Sequence, residues 1–298
     1  MGNIPSLFKV SLHTHTIRGF YKGTTISKYT IPSLDEYIHL LYKNDISIAA
    51  ITDHSYDGGF DDLVKKVSHE KKYHGKIRYY DDQGINLTDL EDSKKDLHIL
   101  RGVEITRPFH ILAIGYKGSL NITPKSMPES MEELTDLLSE VDKKEGIRIV
   151  AHPFGISGAN RDQLNYLVYN KLIEAIEVFN PQNVFPIFHK KNNDSLNYSI
   201  EKNIAGVASP DNHTIRDFSK AYIKIPENLL DFSNINLLVK SLKENIINRK
   251  FDRHEGRVNL LSTLVFYQAP PYLAYRKGRE QMKETIRKIP NLIKPKTF

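Results

Sequence analysis

Short apolar runs rich in β-branched residues recur along the chain, separated by segments of helical period. The runs are Phe8-Lys9-Val10-Ser11-Leu12, Ser47-Ile48-Ala49-Ala50-Ile51, His98-Ile99-Leu100 and His110-Ile111-Leu112-Ala113-Ile114. Later come Arg148-Ile149-Val150-Ala151, Ala175-Ile176-Glu177-Val178-Phe179 and Ile204-Ala205-Gly206-Val207-Ala208. Between them, residues 32–43, 131–144, 161–172 and 190–202 are predicted as helices. Ser33 and Ser130 stand where a hydroxyl oxygen satisfies the free N–H groups of a helix start. Strand–helix alternation over this length argues for a parallel sheet, open or closed into a barrel.

Two segments depart from the alternation. Residues 70–96, with Lys71-Lys72-Tyr73-His74-Gly75 and Asp89-Leu90-Glu91-Asp92-Ser93-Lys94-Lys95-Asp96, are charged and weakly periodic. They are expected to form a surface insertion, with a position over a site left open. From about residue 255, an apolar stretch (258–268) is followed by Pro270-Pro271 as a breaker, then by a helical stripe of apolar residues at 272, 275, 282, 286 and 289, which Arg279 interrupts. This extension, 253–298, is expected to pack on the main unit, 1–252, or across a homo-oligomer. The alternative is a basic surface for nucleic acid or anionic lipid.

Composition narrows the chemistry. With 40% hydrophobic residues among 298, the chain can bury a sizeable core. No apolar run reaches the roughly 20 residues of a membrane span, and the first residues lack a signal peptide's basic start and apolar core, so a cytoplasmic location is expected. The absence of cysteine excludes disulfides, thiolate metal sites and cysteine nucleophiles, leaving imidazole and carboxylate for any metal. The net charge of +6 belongs to the tail: residues 251–298 hold ten Lys/Arg against four Asp/Glu, and the rest sums to zero. The basic balance therefore does not make the main unit a nucleic-acid surface.

Polar residues cluster at the ends of the apolar runs. His13-Thr14-His15 follows the first, Thr52-Asp53-His54 the second, and Gly102-Val103-Glu104 the third. His110 opens the fourth, Ala151-His152-Pro153 closes the fifth, and Asp211-Asn212-His213 follows the seventh. Residues two apart in an extended segment point the same way, so both imidazoles of His13-x-His15 can face one ion. Ionisable side chains at successive strand ends are the pattern of an active site on such a sheet. Neutral imidazole with carboxylate suits zinc, manganese or iron. Neither a G-x-S-x-G elbow nor a G-x-x-x-x-G-K-[ST] loop is present, so metal-activated water is the most economical chemistry left. Each element alone is weak; an isolated His-x-His is more often an ordinary strand.

The ordered set His13-x-His15, Thr52-Asp53-His54, Gly102-x-Glu104, His110-Ile-Leu, Ala151-His152-Pro153 and Asp211-x-His213 resembles the motifs of the PHP (polymerase and histidinol phosphatase) superfamily. Glu177-Val178-Phe179-Asn180-Pro181 also looks like the strand before the last motif. The resemblance covers roughly residues 8–225. It implies a distorted (β/α)7 TIM-like barrel with two or three divalent ions (Mn, Fe or Zn) at its mouth, and hydrolysis of a phosphate ester by a metal-activated hydroxide. His13, His15, Glu104 and Asp211 match the ligands of a first metal, and Glu104 bridges to a second held with His110 and His152. His54 and His213 match ligands of a third. Glu104, Asp211, His54 and His213 are the positions expected nearest the reacting atoms.

The sequence departs from the family pattern twice. Family members place another ligand a few residues after His-x-His, whereas this chain reads Thr16-Ile17-Arg18-Gly19-Phe20-Tyr21-Lys22-Gly23. The third ion is thus left with His54 and His213, a weak or absent site. Arg18 or Lys22 stands where its charge is expected and is a candidate phosphate contact, as are Arg107 and Arg161; a solvated surface cation is the alternative for each. In Ser209-Pro210-Asp211, Pro210 intervenes between the usual Ser and Asp. His39, His69, His74, His98, His189 and His254 lack ligand spacing and are expected to be structural. Asp53 is expected to orient a neighbouring imidazole. The expected substrate is a phosphorylated small molecule or nucleotide. The runners-up are exonuclease-like hydrolysis of short nucleic acids and an idle scaffold binding a partner through the tail.

Overall fold

The computed structural model describes residues 6–16, 33–90, 96–155, 157–181, 189–212 and 218–256. Arg18, Lys22, His213 and the basic segment from 257 onward lie outside them.

The order of elements begins β1 (Leu7–Thr14), α1 (Leu34–Lys43), β2 (Ile48–Ile51), α2 (Gly59–His69), β3 (Ile77–Tyr80), β4 (Gly84–Leu87), β5 (Leu97–Leu100), β6 (Gly102–Ile105) and β7 (Ile111–Ile114). It continues α3 (Met131–Lys143), β8 (Ile147–Val150), α4 (Arg161–Tyr169), β9 (Ala175–Phe179), α5 (His189–Lys202), β10 (Ala205–Ala208), β11 (Ala221–Pro226), α6 (Ile235–Ile247) and β12 (Asp252–Glu255). The predicted caps operate. The Ser33 hydroxyl accepts from the N–H of Glu36, whose carboxylate accepts from the N–H of Ser33 at 2.8 Å, closing a capping box. Ser130 accepts from the N–H of Glu133. Helix α1 then buries Leu34, Tyr37, Ile38 and Leu41 along one stripe.

The strands form two open sheets, where the sequence reading expected one barrel. The first runs β12-β11-β1-β2-β5-β4-β3 and the second β10-β9-β8-β7-β6. Both are mixed: β1-β2-β5 and β8-β9-β10 are parallel, while β6-β7-β8 are antiparallel. The reason lies at Gly102, where the chain leaves β5 and enters the other sheet as β6. A Cβ there would sit 2.7 Å from the Ile51 carbonyl oxygen, so only glycine passes that close. Glu104 consequently stands on its own strand and not at the end of the His98–Leu100 run.

The inner faces of the two sheets share one apolar layer, with Val10, Leu12, Ile48, Ala50, Leu112, Ile149, Ala175 and Val207 among its members. Leu238, Val239 and Leu242 of α6 pack into it. Two outer layers bury the opposite faces beneath α1 and α2 and beneath α3 to α5. Part of the expected surface insertion is interior: Ile85 and Leu87 of β4 are fully buried, and β4 pairs with β5 and β3. Among the described residues, no helix is long and apolar enough to cross a membrane.

Candidate metal centre

Strand β1 would turn His13 outward by simple alternation, because Val10 and Leu12 face the interior. A bulge corrects this. Ser11 pairs with Ala49 and Thr14 with Ile51, so three steps on β1 match two on β2. A bulge puts two successive side chains on one side, and here they are Leu12 and His13, with His15 following inward. Thr14 points the other way, its hydroxyl bonded to the Ala50 carbonyl at 2.5 Å and the Tyr37 hydroxyl at 2.7 Å. Asn212 fixes the backbone of His15 reciprocally, accepting from its N–H at 3.1 Å and donating to its carbonyl at 3.2 Å.

The sheets meet at this end. Thr14 bridges to Asn212 and His54 to Glu104, and the Asp211 N–H donates to the His13 carbonyl at 3.1 Å. His13, His15, His54, Glu104, His110, His152 and Asp211, separated by as much as 198 positions in sequence, therefore converge on one buried spot. Strand β7 runs antiparallel to β6, which places His110, just before β7, beside Glu104.

Glu104 divides the cluster. Its Oε2 lies 3.4 Å from His13 Nε2, 3.7 Å from His15 Nε2 and 3.1 Å from His54 Nε2. Its Oε1 lies 2.6 Å from His110 Nδ1 and 3.4 Å from His152 Nε2. Asp211 Oδ1 sits 3.4 Å from His13 Nε2 and 3.1 Å from His15 Nε2, and those two nitrogens are 3.1 Å apart. Three groups could each hold an ion: His13, His15 and Asp211; His15, His54 and Glu104; Glu104, His110 and His152.

The donor set fits metal on two counts. Ligands about 2.0–2.1 Å from a tetrahedral ion lie about 3.4 Å apart. At about 2.1 Å in an octahedron, neighbours lie about 3.0 Å apart. Six of the eight separations above, 3.1–3.4 Å, fall in that range, while His110 to Glu104 at 2.6 Å is shorter and His15 to Glu104 at 3.7 Å longer. Secondly, neither oxygen of the fully buried Glu104 receives an aligned hydrogen bond, although imidazole nitrogens ring it. Buried carboxylates are ordinarily paired or bound to metal.

In the absence of metal, protons do the balancing. Burial pushes the Glu104 carboxyl up, but His54, His110 and His13 outweigh it and hold the group well below its usual range. Burial pulls His13 down, and Asp211, Glu177 and Glu104 outweigh that, leaving it well above 6.5. His152 is raised in the same way, burial being outweighed by Glu104, Asp211 and Glu177.

Among the other expected positions, Asp53 accepts the N–H and hydroxyl of Thr16, both at 2.6 Å, and so holds the chain leaving His15. Burial lifts its carboxyl to about 6. Arg107 pairs with Glu129 at 3.5 Å and Arg161 with Glu201 at 2.7 Å, all exposed, and neither guanidinium is drawn into the cluster. His98 is buried between Asn86 and Tyr79, and burial lowers it to about 4.

Sequence reasoning assigned no role to Glu177 and Asn180. Glu177 Oε1 lies 2.8 Å from His13 Nδ1, its Oε2 accepts the His152 N–H at 2.8 Å, and Asn180 donates to Asp211 Oδ2 at 3.0 Å. The available signal was a carboxylate at an inward position of an otherwise apolar strand, two residues after Ala175.

No family model and no curated protein matches the chain. Among solved structures, PsfC from Pseudomonas syringae PB-5123 aligns over 88% of this chain and 95% of its own, with a TM-score of 0.56 and 14% identity. A two-domain protein from Bacteroides vulgatus, described as containing a predicted PHP-like metal-dependent phosphoesterase, aligns over 89% of this chain and 70% of its own, with a TM-score of 0.53 and 16% identity. The chain therefore shares its fold with these two proteins, one of which is described as containing a predicted PHP-like metal-dependent phosphoesterase.

Proposed function

We propose that this protein is a metal-dependent phosphoesterase that cleaves a phosphate ester of a small phosphorylated metabolite or nucleotide. The observation that carries the reading is the convergence of five imidazoles and two carboxylates at ligand-to-ligand spacing, around a buried Glu104 that lacks aligned hydrogen bonds. His13, His15 and Asp211 would hold one divalent ion and Glu104, His110 and His152 another, with Glu104 between them. His54, grouped with His15 and Glu104, marks a third position. We read the two sheets as a distorted barrel whose mouth is this cluster.

When bound, divalent ions at these positions supply Lewis acidity that lowers the pKa of water and neutralises phosphoryl charge. The chain's own contribution is geometric and electrostatic. Glu104 keeps its charge at neutral pH because its imidazole neighbours favour the anion. Glu177 turns His13 so that Nε2 faces the cluster, and Asn180 fixes one oxygen of Asp211. The apolar layer beneath excludes water from the floor of the site.

Elemental analysis of protein purified without added metal, followed by turnover of an aryl phosphate with Mn²⁺, tests the reading. About two divalent ions per chain and metal-dependent phosphate release are expected. Protein that binds no metal at micromolar concentration contradicts it.

A further inference from the structure

We infer that Glu177, together with Asn180, is a positioning residue that presets three cluster members, His13, His152 and Asp211, from a single strand. The inference rests on the proposed metal function and deepens it.

Strand β9 alternates Ala175 and Glu177 toward the interior, with Ile176 and Val178 in the helix-covered layer. Glu177 is 1% exposed, and a carboxylate so buried must be matched by donors. Its donors come from three places. The His13 ring presents Nδ1 to Oε1 at 2.8 Å. The His152 backbone N–H donates to Oε2 at 2.8 Å, and Asn180 Nδ2 donates to the same oxygen at 3.2 Å. The Asn180 amide donates onward to Asp211 Oδ2 at 3.0 Å.

Each contact sets a different degree of freedom. An acceptor on Nδ1 retains that proton and leaves the Nε2 lone pair for the cluster. His152 and Asp211 carry φ of 29° and 44°, a backbone region that non-glycine residues rarely adopt. Strain of this kind persists only where surrounding contacts over-determine it. Glu177 holds His152 by its N–H, and Asn180 holds Asp211 by its carboxylate. Glu177 is not itself a member of any of the three ligand groups, and both its oxygens are engaged by these donors.

Glutamine at this position separates positioning from packing. An amide has one acceptor oxygen and one donor nitrogen, so it can accept from the His13 ring or from the His152 N–H, never from both. The test uses the full chain. Zn²⁺ affinity is measured by calorimetry for wild type, Glu177→Gln and Asn180→Ala. In the zinc-loaded proteins, the His13 Nδ1–H is followed by NMR, assigned by its absence from His13→Ala. Wild type is expected to show a downfield, slowly exchanging proton. Glu177→Gln should weaken zinc binding roughly 10–100-fold and lose or shift that signal. Asn180→Ala should weaken zinc binding by about tenfold with the signal intact, since it removes the hold on Asp211 and one donor to Glu177 Oε2 but leaves the Oε1 contact to the His13 ring. Asn180→Ala carries the test if Glu177→Gln fails to fold. Wild-type affinity and an unchanged signal in Glu177→Gln, or wild-type affinity in Asn180→Ala, overturn the positioning role while leaving the metal site standing. A wild-type chain that takes up no zinc removes the proposed function and the inference with it.

Discussion

At the scale of single residues, Glu104 decides what the site can do. It is fully buried, it separates His13, His15 and His54 from His110 and His152, and its charge has no aligned donor of its own. Glu104→Gln preserves its shape and removes the charge. Turnover of an aryl phosphate should fall to below about 1% of wild type, a loss of about 2.7 kcal/mol or more of transition-state stabilisation. Steady-state kinetics at saturating Mn²⁺ check this; activity within a few-fold of wild type would remove Glu104 from the centre. The neighbouring imidazoles give a pH dependence. His13 and His152 are raised above 6.5 in the metal-free protein, mainly by carboxylates that overcome burial. A metal needs the neutral ring, so protons compete with it at pH values above the ordinary histidine range. Affinity should rise with pH through that range and level off once the raised values are passed. Below them, each pH unit lost should cost about tenfold or more in affinity. Calorimetric titrations at several pH values read the slope, and a flat profile between pH 6 and 8 would contradict it.

At the scale of elements, the turn between β8 and α4 sets the second half of the cluster. The Ser157 carbonyl accepts the His110 N–H at 3.0 Å, and the His152 carbonyl accepts the Gly155 N–H at 3.0 Å. Gly158 lies against that same carbonyl: a Cβ there would fall 2.2 Å from the His152 oxygen and 3.1 Å from the Gly155 nitrogen. Backbone atoms cannot swing aside, so Gly158→Ala must displace the turn. We expect it to lose the ion between Glu104, His110 and His152 and to keep the one at His13, His15 and Asp211, halving the metal content found by elemental analysis. Unchanged stoichiometry would show that the turn yields without moving either histidine. Some of this was legible in the chain and some was not. The helices at 34–43 and 131–143 are written locally, in Ser33, Ser130 and their apolar stripes. Helix α6 carried comparable signals, an Asn234 cap and buried residues at 235, 238, 239, 242 and 246, yet the sequence reading assigned no element there. The β1 bulge and the crossing at Gly102 depend on Ala49, Ile51 and the Ile51 carbonyl, partners that no local pattern names.

At the scale of the whole molecule, the two open sheets can share an interior because α6 packs into it while the polar cluster occupies the end where the sheets meet. The order of polar motifs along the sequence was readable because most sit at or near a strand end, Glu104 within β6 being the exception. The division of the cluster by Glu104, and the bracing by Glu177, were not, since they follow from which strands become neighbours. Such an arrangement makes folding and metal binding interdependent. The unfolded chain cannot assemble seven donors drawn from residues 13 to 211, so ions that bind the native state stabilise it by mass action. With free metal at about a thousand times its dissociation constant, the gain is about 4 kcal/mol. For a unit of this size each kcal/mol moves the melting midpoint by about 2–4 °C, so chelation should lower it by on the order of 10 °C. Screening gives the control. Surface pairs such as Arg161 with Glu201 weaken in salt, whereas the buried cluster is shielded from the Debye atmosphere. Thermal scans in chelator, with and without added salt, should therefore show a large drop from metal removal and only a small one from ionic strength. A chelated protein melting within 1–2 °C of the metal-loaded one would mean that no tightly bound ion joins the two sheets.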